Sequence, residues 1–327
     1  MVSATDVPQN DRPSLLRPAV TVGPEQLSAA ARKRVQALVG PRPARFWREL
    51  ALAWLAIAII VTVGLLAHHI FVTALCIVLV STRQLILGLL MHEQVHRLGG
   101  RMKYSDWVIN LLAVYPLLIT TVEDYAKVHL SHHKYFMTEQ DPDFLRKAGQ
   151  EWTFPARFRT VMGIVLRDIT GLSTVKLIRG KTAPRGLTEF ERRHPTPRWL
   201  RLVFFAVLAA VLTVVGGWTA FLVYWILPLL TTTQLFIRWI AVVEHMYNIE
   251  NARVHDVTPL VELTWWQKIL FPDLNFAMHV YHHMHPGVSF SLLPEVHRIY
   301  RDEGFVDQSA VFRGQGSFLR YLVKRRT

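Results

Sequence analysis

Two pairs of long apolar runs dominate the pattern of hydrophobic and polar positions along the chain. Residues 50–67 and 70–90 are almost continuously apolar and are separated only by a His-His dipeptide. Residues 202–215 and 218–243 repeat this arrangement around a Gly-Gly dipeptide. A helix needs about 20 apolar residues to cross the hydrocarbon core of a bilayer. The pattern therefore predicts an all-α integral membrane protein with about four transmembrane helices in two hairpins.

The remaining segments are shorter or more polar. Residues 107–122 are apolar but contain Pro116 and are short for a span, which predicts a re-entrant or interfacial helix. Residues 134–201 are polar and rich in Arg and Lys, and both ends of the chain are polar and basic, as expected of mobile tails. The predicted units are a basic tail, a membrane domain and a second basic tail, at 1–45, 46–300 and 301–327.

The distribution of charge predicts the orientation in the membrane. The chain carries 37 Lys and Arg against 24 Asp and Glu, and the turns inside the two hairpins contain none of the basic residues. Cytoplasmic segments are enriched in Lys and Arg, so both termini and residues 134–201 are expected in the cytoplasm. We expect a multi-pass protein of a bacterial inner membrane whose basic charge faces lipid rather than a nucleic acid.

Three histidine boxes contain the candidate metal-binding residues, and all of them lie on the predicted cytoplasmic side. Within a box the histidines recur at i, i+3 or i+4, which places them on one face of a helix. Neutral imidazole binds iron, zinc, copper and nickel, and eight imidazoles exceed what one tetrahedral zinc can use. The boxes predict a histidine-lined cap that binds two metal ions. Their members are His92 and His96, then His129, His132 and His133, then His279, His282 and His283.

A further ligand is predicted at the end of the fourth apolar run. Arg238 and His245 are seven residues apart, which is two helical turns, and therefore share a helical face. Ionisable residues inside a span usually face a cavity or a partner. This arrangement directs His245 toward the boxes as a possible ninth ligand, and the alternative is a purely structural contact of Arg238 with Glu244 or with lipid.

Other classes of protein compete for the same residues. The segment from His92 to His96 matches H-E-x-x-H, the zinc-protease motif in which Glu93 would be the general base. That interpretation leaves six boxed histidines without a role. A metal transporter or membrane scaffold is a third possibility, but transport favours ligands along a pathway through the membrane rather than on one face.

The chain lacks the sequence features of an internal electron-transfer cofactor. Its one cysteine, Cys76, excludes a Cys-ligated iron–sulfur cluster, and no dinucleotide-binding G-x-G-x-x-G opens a helix after a strand. Electrons must therefore come from a separate carrier, such as an acidic ferredoxin docking on a basic face. Anionic lipid is the alternative partner of that face. The basic face comprises Arg157, Arg159, Arg185, Arg192 and Arg193.

From about residue 50 to residue 300 the chain resembles the membrane fatty acid desaturase and hydroxylase superfamily. The resemblance rests on boxes of the form H-x(3–4)-H, H-x(2–3)-H-H and H-x(2–3)-H-H in this order. It also rests on Asp141-Pro142-Asp143 after the second box and on Leu293-Pro294-Glu295 after the third. It implies a di-iron centre held mostly by imidazole, with His245 as an additional ligand. Some members carry an Asn one turn before that histidine, where this chain has Ala241. Residues that are expected to contact the ligands from outside are Asn275, His285, Glu244 and Asp141.

The resemblance also implies a reaction. Two irons with O2 as co-substrate would oxidise an unactivated C–H bond of a lipid or fatty acyl chain. Removal of a second, neighbouring hydrogen gives desaturation, and return of a hydroxyl group gives an alcohol. Desaturation is the predicted outcome, and a hydroxylase or ketolase acting on a carotenoid, an alkane or another lipid is the alternative within the superfamily.

Overall fold

The computed structural model describes residues 16–119, 121–147, 149–179 and 192–324, and the described chain is mostly helical. Short strands pair as two parallel two-stranded sheets, β1 with β4 and β2 with β3. The strands are β1 (Ala156–Arg157), β2 (Val261–Glu262), β3 (Phe312–Arg313) and β4 (Val323–Lys324). The helices are α1 (Ala29–Gln36), α2 (Pro43–Ala67), α3 (Ile70–Val95), α4 (Ser105–Ile109), α5 (Val122–Lys134), α6 (Pro142–Arg146), α7 (Phe158–Ile169), α8 (Leu172–Arg179), α9 (Arg198–Val214), α10 (Trp218–Phe221), α11 (Leu227–Leu230), α12 (Thr232–Glu244), α13 (Val254–Val257), α14 (Trp265–Leu270), α15 (His279–Met284), α16 (Leu293–Asp302) and α17 (Gln315–Leu322).

The first predicted hairpin is confirmed as helices α2 and α3. They contain 25 and 26 residues, and both are long and apolar enough to cross a membrane. The chain reverses at His68, whose φ of 47° lies in the left-handed region that ends a helix. At about 1.5 Å per residue each helix is longer than a hydrocarbon core of about 30 Å, so each is long enough for one end to extend past that core.

The second hairpin has one long and one short arm. The run Trp218–Glu244 is the third candidate span, and a π-helical turn at Leu222–Ile226 joins α10 to α11 within it. Helix α9, the other arm, has 17 residues and none of them is buried. A helix of that length is about 26 Å long, slightly less than the hydrocarbon core. Three candidate spans are therefore present in the described chain, and a count of four stays a prediction.

The predicted re-entrant segment is a short helix that does not cross. Helix α4 continues into a π-helical turn, Asn110–Val114, and the apolar helix Ser105–Val114 ends there. The chain turns back at Leu118, which has a φ of 61°. The Asn110 side chain fixes this return because its Oδ1 accepts the Val122 N–H at 2.7 Å. The segment thus delivers α5, with the second box, to the end of α3 that carries the first box.

Arg238 does not have the partner that the sequence suggested. Its guanidinium pairs with Asp168 of α7, with Nε 2.6 Å from Oδ2 and Nη2 3.0 Å from Oδ1, instead of with Glu244. The guanidinium carbon of Arg238 lies 4.3 Å from the centre of the Trp152 ring. Since Asp168 is fully buried, this pair fastens α7 to α12. Sequence spacing could not find the partner because it lies 70 residues away.

The described parts of both predicted tails pack against the rest of the chain. Residues 1–15 and 325–327 lie outside the described residues. Near the N-terminus, Val20 is buried and bridges to Val306, and the Ser28 hydroxyl donates to Glu303. Near the C-terminus, Phe318 of α17 is fully buried beside Phe312. Apolar residues scattered among Pro and Arg therefore bury enough surface to hold both segments in place.

Candidate metal centre

The three boxes lie at helix ends that meet on one side of the helical bundle. His92 occupies the last turn of α3, and His96 follows directly as its C-cap. The second box lies in the C-terminal half of α5, and α15 consists almost entirely of the third box. His245 follows α12 with an extended backbone, at φ −150° and ψ 147°. Its side chain therefore reaches the site from beyond the helix end, not from the helical face that it was predicted to share with Arg238.

Ring nitrogens from different segments approach one another closely. The Nε2 atoms of His96 and His133 each lie 2.9 Å from Nε2 of His129. Nε2 of His133 also lies 3.1 Å from Nε2 of His282, in the third box. Convergence of imidazole nitrogens on a shared small volume is the arrangement that metal ligands require.

The histidines form two groups, and within each group one nitrogen of every member lies within 4.8 Å of the others. In the second group, Nε2 of His245 lies 2.9 Å from Nε2 of His283. Two separate groups are what two metal ions would need. The first group is His92, His96, His129 and His282, and the second is His132, His245 and His283.

Two boxed histidines, His133 and His279, belong to neither group and lie between the two. The ring of His133 stacks on that of His283 with their centres 4.1 Å apart, while its Nε2 faces His282. The ring centre of His279 is 4.9 Å from those of His245 and His283 and 5.0 Å from that of His282. The structure thus brings all nine predicted ligands into one cluster.

The surroundings of seven of these imidazoles favour the neutral form, which is the form that binds metal. Burial is the main cause, and the neighbouring imidazoles add to it because a second positive charge beside the first is unfavourable. Burial and then Arg192 lower the pKa of His96 to about 4. The residues whose pKa lies well below the ordinary 6.5 are His129, His133, His245, His279, His282 and His283.

Unpaired ring nitrogens in the cluster fit a metal centre. Both ring nitrogens of His92 and the Nδ1 atom of His279 are buried and have no hydrogen-bond partner among the described residues. A buried polar atom without a partner costs about 1–3 kcal/mol, so such atoms are rare in folded proteins. A bound metal ion would supply the missing partners, and the donor set therefore suits an imidazole-rich metal site.

Outer contacts orient individual ligands. Asp141 is fully buried, and its Oδ1 and Oδ2 lie 3.0 and 2.9 Å from Nδ1 of His132. His245 makes the corresponding contact to Thr258, whose hydroxyl lies 2.9 Å from Nδ1. In both cases Nε2 remains free to face the cluster, as in most protein metal sites. The sequence indicated Asp141, but no pattern pointed to Thr258, which is in a loop after α13.

The other three residues expected near the ligands have different surroundings. The Asn275 amide donates to the Phe290 carbonyl oxygen at 3.2 Å. The His285 Nε2 atom lies 2.9 Å from the Tyr300 hydroxyl, and burial lowers the pKa of His285 to about 4. Glu244 ends α12 and interacts electrostatically with Lys147 and with His132. Of these three, only Glu244 has a ligand among its described partners.

Glu93, the base of the rival zinc-protease interpretation, faces a different neighbour. Its Oε1 accepts the Phe290 N–H at 3.2 Å, and the side chain is 1% exposed. The carboxylate therefore holds the short 3-10 helix Phe290–Leu292 against the end of α3. A general base for peptide hydrolysis needs to reach a water molecule on the metal, and this carboxylate is already engaged in packing.

Arg192 has a structural place instead of one on the predicted docking face. Its side chain is 5% exposed and pairs with Asp106 at 2.9 Å. It also donates to the carbonyl oxygens of Gln94 and Val95, at 3.1 and 2.8 Å, in the last turn of α3. A cation at that position complements the helix dipole and fixes the helix end that bears the first box. Arg157, Arg159 and Arg193 are exposed, and Arg185 lies outside the described residues.

Comparison with known proteins gives two matches. The model of a family described as "Fatty acid desaturase" matches residues 68–313. Dihydrorhizobitoxine desaturase of Bradyrhizobium elkanii is 23% identical over 253 residues, which cover 73% of this chain and 71% of the relative. The family match contains all three boxes and His245.

Proposed function

The chain belongs to the fatty acid desaturase family, which makes it an oxidoreductase, and we propose that it is an O2-dependent desaturase with a di-iron centre. The observation that carries this proposal is the presence of two adjacent groups of convergent histidines, most of which are buried. One zinc ion could not use them all. The predominance of imidazole and the lack of thiolate ligands suit iron.

In this proposal the nine clustered histidines hold the metals, and His133 and His279 lie between the two positions. When bound, the two irons would supply the activation of O2 that oxidation of an unactivated C–H bond requires. The protein contributes orientation and exclusion of water. Asp141 and Thr258 engage Nδ1 of His132 and His245, so that Nε2 of each is the atom presented to a metal.

The proposed substrate is a lipid or a fatty acyl chain. Three apolar helices long enough to span a bilayer place the protein in a lipid environment, and the histidine cluster lies at the ends of two of them. The relative's name assigns it dihydrorhizobitoxine, and identity of 23% is too low to transfer that substrate here. The basic segments support a cytoplasmic position for the cluster.

Electrons are proposed to come from a separate ferredoxin-like carrier. The exposed arginines Arg157, Arg159 and Arg193 suit an acidic partner. Replacing these three by Gln should raise the KM for an acidic carrier at low ionic strength while leaving its value at high salt unchanged. An unchanged KM at both salt concentrations would instead leave these charges to anionic lipid.

Elemental analysis of the detergent-purified protein tests the proposal. About two iron ions per chain are expected, and His132→Ala and His282→Ala should each lower that content. His68→Ala is the matched control because His68 is exposed in the turn between α2 and α3. One zinc per chain, retained in both box variants, would contradict the proposal. Product analysis of lipids from an expressing host then separates an alkene from an alcohol.

A further inference from the structure

Helix α9 leaves a gap beside the bundle. None of its residues is buried, although a helix in a close-packed hairpin normally buries one face. A packing contact links Phe204 to Tyr115, with ring centres 5.6 Å apart. Between α9 and α2 there is an apolar groove of about 610 Å³.

The described residues that line this groove present few free hydrogen-bonding groups to water. They include Leu112 and Leu208, and the polar side-chain groups among its described lining residues belong to Trp54, Tyr224 and Trp225. The indole N–H groups of Trp54 and Trp225 donate to backbone carbonyl oxygens at 2.9 and 2.8 Å. The Tyr224 hydroxyl lies 3.3 Å from the Thr73 hydroxyl. A water molecule needs two or more free polar partners, so it would be poorly held here.

Both π-helical turns of the membrane region border the groove. Leu111 and Leu112 belong to the turn Asn110–Val114, and Tyr224 and Trp225 belong to Leu222–Ile226. A π-helical turn adds a residue to a helix and is frequently found at a functional site. Two such turns in the lining indicate that the helices are shaped around the groove instead of failing to close it.

The groove is separate from the metal centre. At its inner end the rings of Trp54 and Trp225 stack, with centres 5.4 Å apart and planes within 8° of each other. The Trp225 carbonyl oxygen accepts from Gln84, which precedes His92 by two helical turns, or about 12 Å along α3. From Trp225 the groove extends to Gly217, at the turn that lies away from the boxes.

The groove lies beside exposed apolar residues of α2 and α9. Leu55 and Ile59 of α2 are 56% and 55% exposed, and Val207 and Val211 of α9 are 56% and 51% exposed. The volume falls within the roughly 300–1,000 Å³ of typical ligand pockets. We propose that the groove binds an alkyl tail of a phospholipid from the leaflet opposite the boxes, as a resident lipid distinct from the substrate.

A phospholipid with a photoactivatable diazirine near the end of its acyl tail tests this site in vesicles of phosphatidylethanolamine and phosphatidylglycerol. After irradiation, crosslinked peptides of the full-length protein are identified by mass spectrometry. Wild-type protein should be labelled preferentially at groove residues such as Leu112, Leu208 and Ala220. Leu208→Trp fills the groove and should reduce this labelling by about tenfold. Val207→Trp is the matched control because Val207 neighbours Leu208 but is exposed to lipid and does not line the groove.

Each outcome bears on the proposal. Equal labelling of groove and lipid-facing residues, or undiminished labelling in Leu208→Trp, would overturn it. Displacement of the label by a compound that the protein oxidises would also overturn it, since the site would then belong to the substrate. A wild-type unfolding temperature in Leu208→Trp would show that loss of labelling does not result from misfolding. The labelling result does not depend on whether the protein is a desaturase.

Discussion

Replacement of Asp141 separates the role of a buried carboxylate in metal binding from its role in folding. The carboxylate engages Nδ1 of His132 and also accepts three backbone N–H groups. Those donors are Met137 at 2.9 Å, Asp143 at 2.8 Å and Phe144 at 3.2 Å. The last two make Asp141 the N-cap of α6. One side chain thus fixes both a ligand and the loop that follows the second box.

The two roles predict different magnitudes for two substitutions. Asn caps a helix about as well as Asp, but its NH2 group cannot accept the Met137 N–H, so Asp141→Asn should destabilise the protein by about 1–3 kcal/mol. Loss of the charge opposite His132 should still weaken metal binding about tenfold, because outer partners typically contribute 10- to 100-fold to metal affinity. Asp141→Ala removes the cap as well and leaves buried N–H groups unpaired, which adds about 1–3 kcal/mol of destabilisation.

The assay is anaerobic competition for Fe²⁺ between the purified protein and a chelator, followed by thermal unfolding of the same samples without metal. Asp124→Asn is the control, since Asp124 is exposed and lies in the first turn of α5, eight residues before His132. An unchanged competition midpoint in Asp141→Asn together with a lowered unfolding temperature would refute the reasoning. It would show that Asp141 supports the loop without orienting His132.

Three further predictions concern the frame around the site. Arg192→Gln should destabilise the protein by about 3 kcal/mol, because the buried carboxylate of Asp106 loses its partner, whereas the exposed Arg193→Gln should not; equal melting temperatures would refute this. Arg238→Leu should cost a similar amount by leaving Asp168 unpaired, and the double change to Leu at both positions should recover most of it; two purely additive losses would count against the pairing. Burial lowers the pKa of boxed histidines such as His129 and His282, so below about pH 6.5 protons bind the unfolded chain in preference to the folded one; stability and iron retention should be full above that pH and fall as pH decreases, and a flat profile of iron content from pH 5 to 8 would contradict the assignment.

The sequence predicted the parts of the molecule that depend on local spacing. Apolar runs specified α2, α3 and the long arm of the second hairpin, because a helix in a membrane must be apolar along its whole length. The i, i+3, i+4 spacing specified the boxes because a helix places those positions on one face. That the three boxes come together was predicted only from the two hairpins, because two hairpins place all three boxes on the same side of the membrane.

Contacts between distant segments could not be predicted in this way. His245 reached the cluster with an extended backbone, and its partner Thr258 is held by the loop in which the Met246 N–H donates to the Val257 carbonyl oxygen. Arg192 was assigned to the surface because a count of charges does not reveal which of them is buried. The tail before residue 46 is predicted to be mobile because it is polar, basic and interrupted by Pro, yet the apolar residues of its described part pack against α16 and its surroundings.

The location of the boxes also determines when the centre can form during synthesis. The first box precedes the third by about 190 residues, with the entire second hairpin between them. At a synthesis rate of about 5–20 residues per second, the ribosome reaches the third box roughly 10–40 s after the first. During that interval the two imidazoles of the first box, and five once the second box is made, are available to any divalent ion, and Zn²⁺ competes well for such ligands. Loading of the proposed metal centre should therefore depend on the metal supply of the cell during translation as well as on the affinity of the finished site.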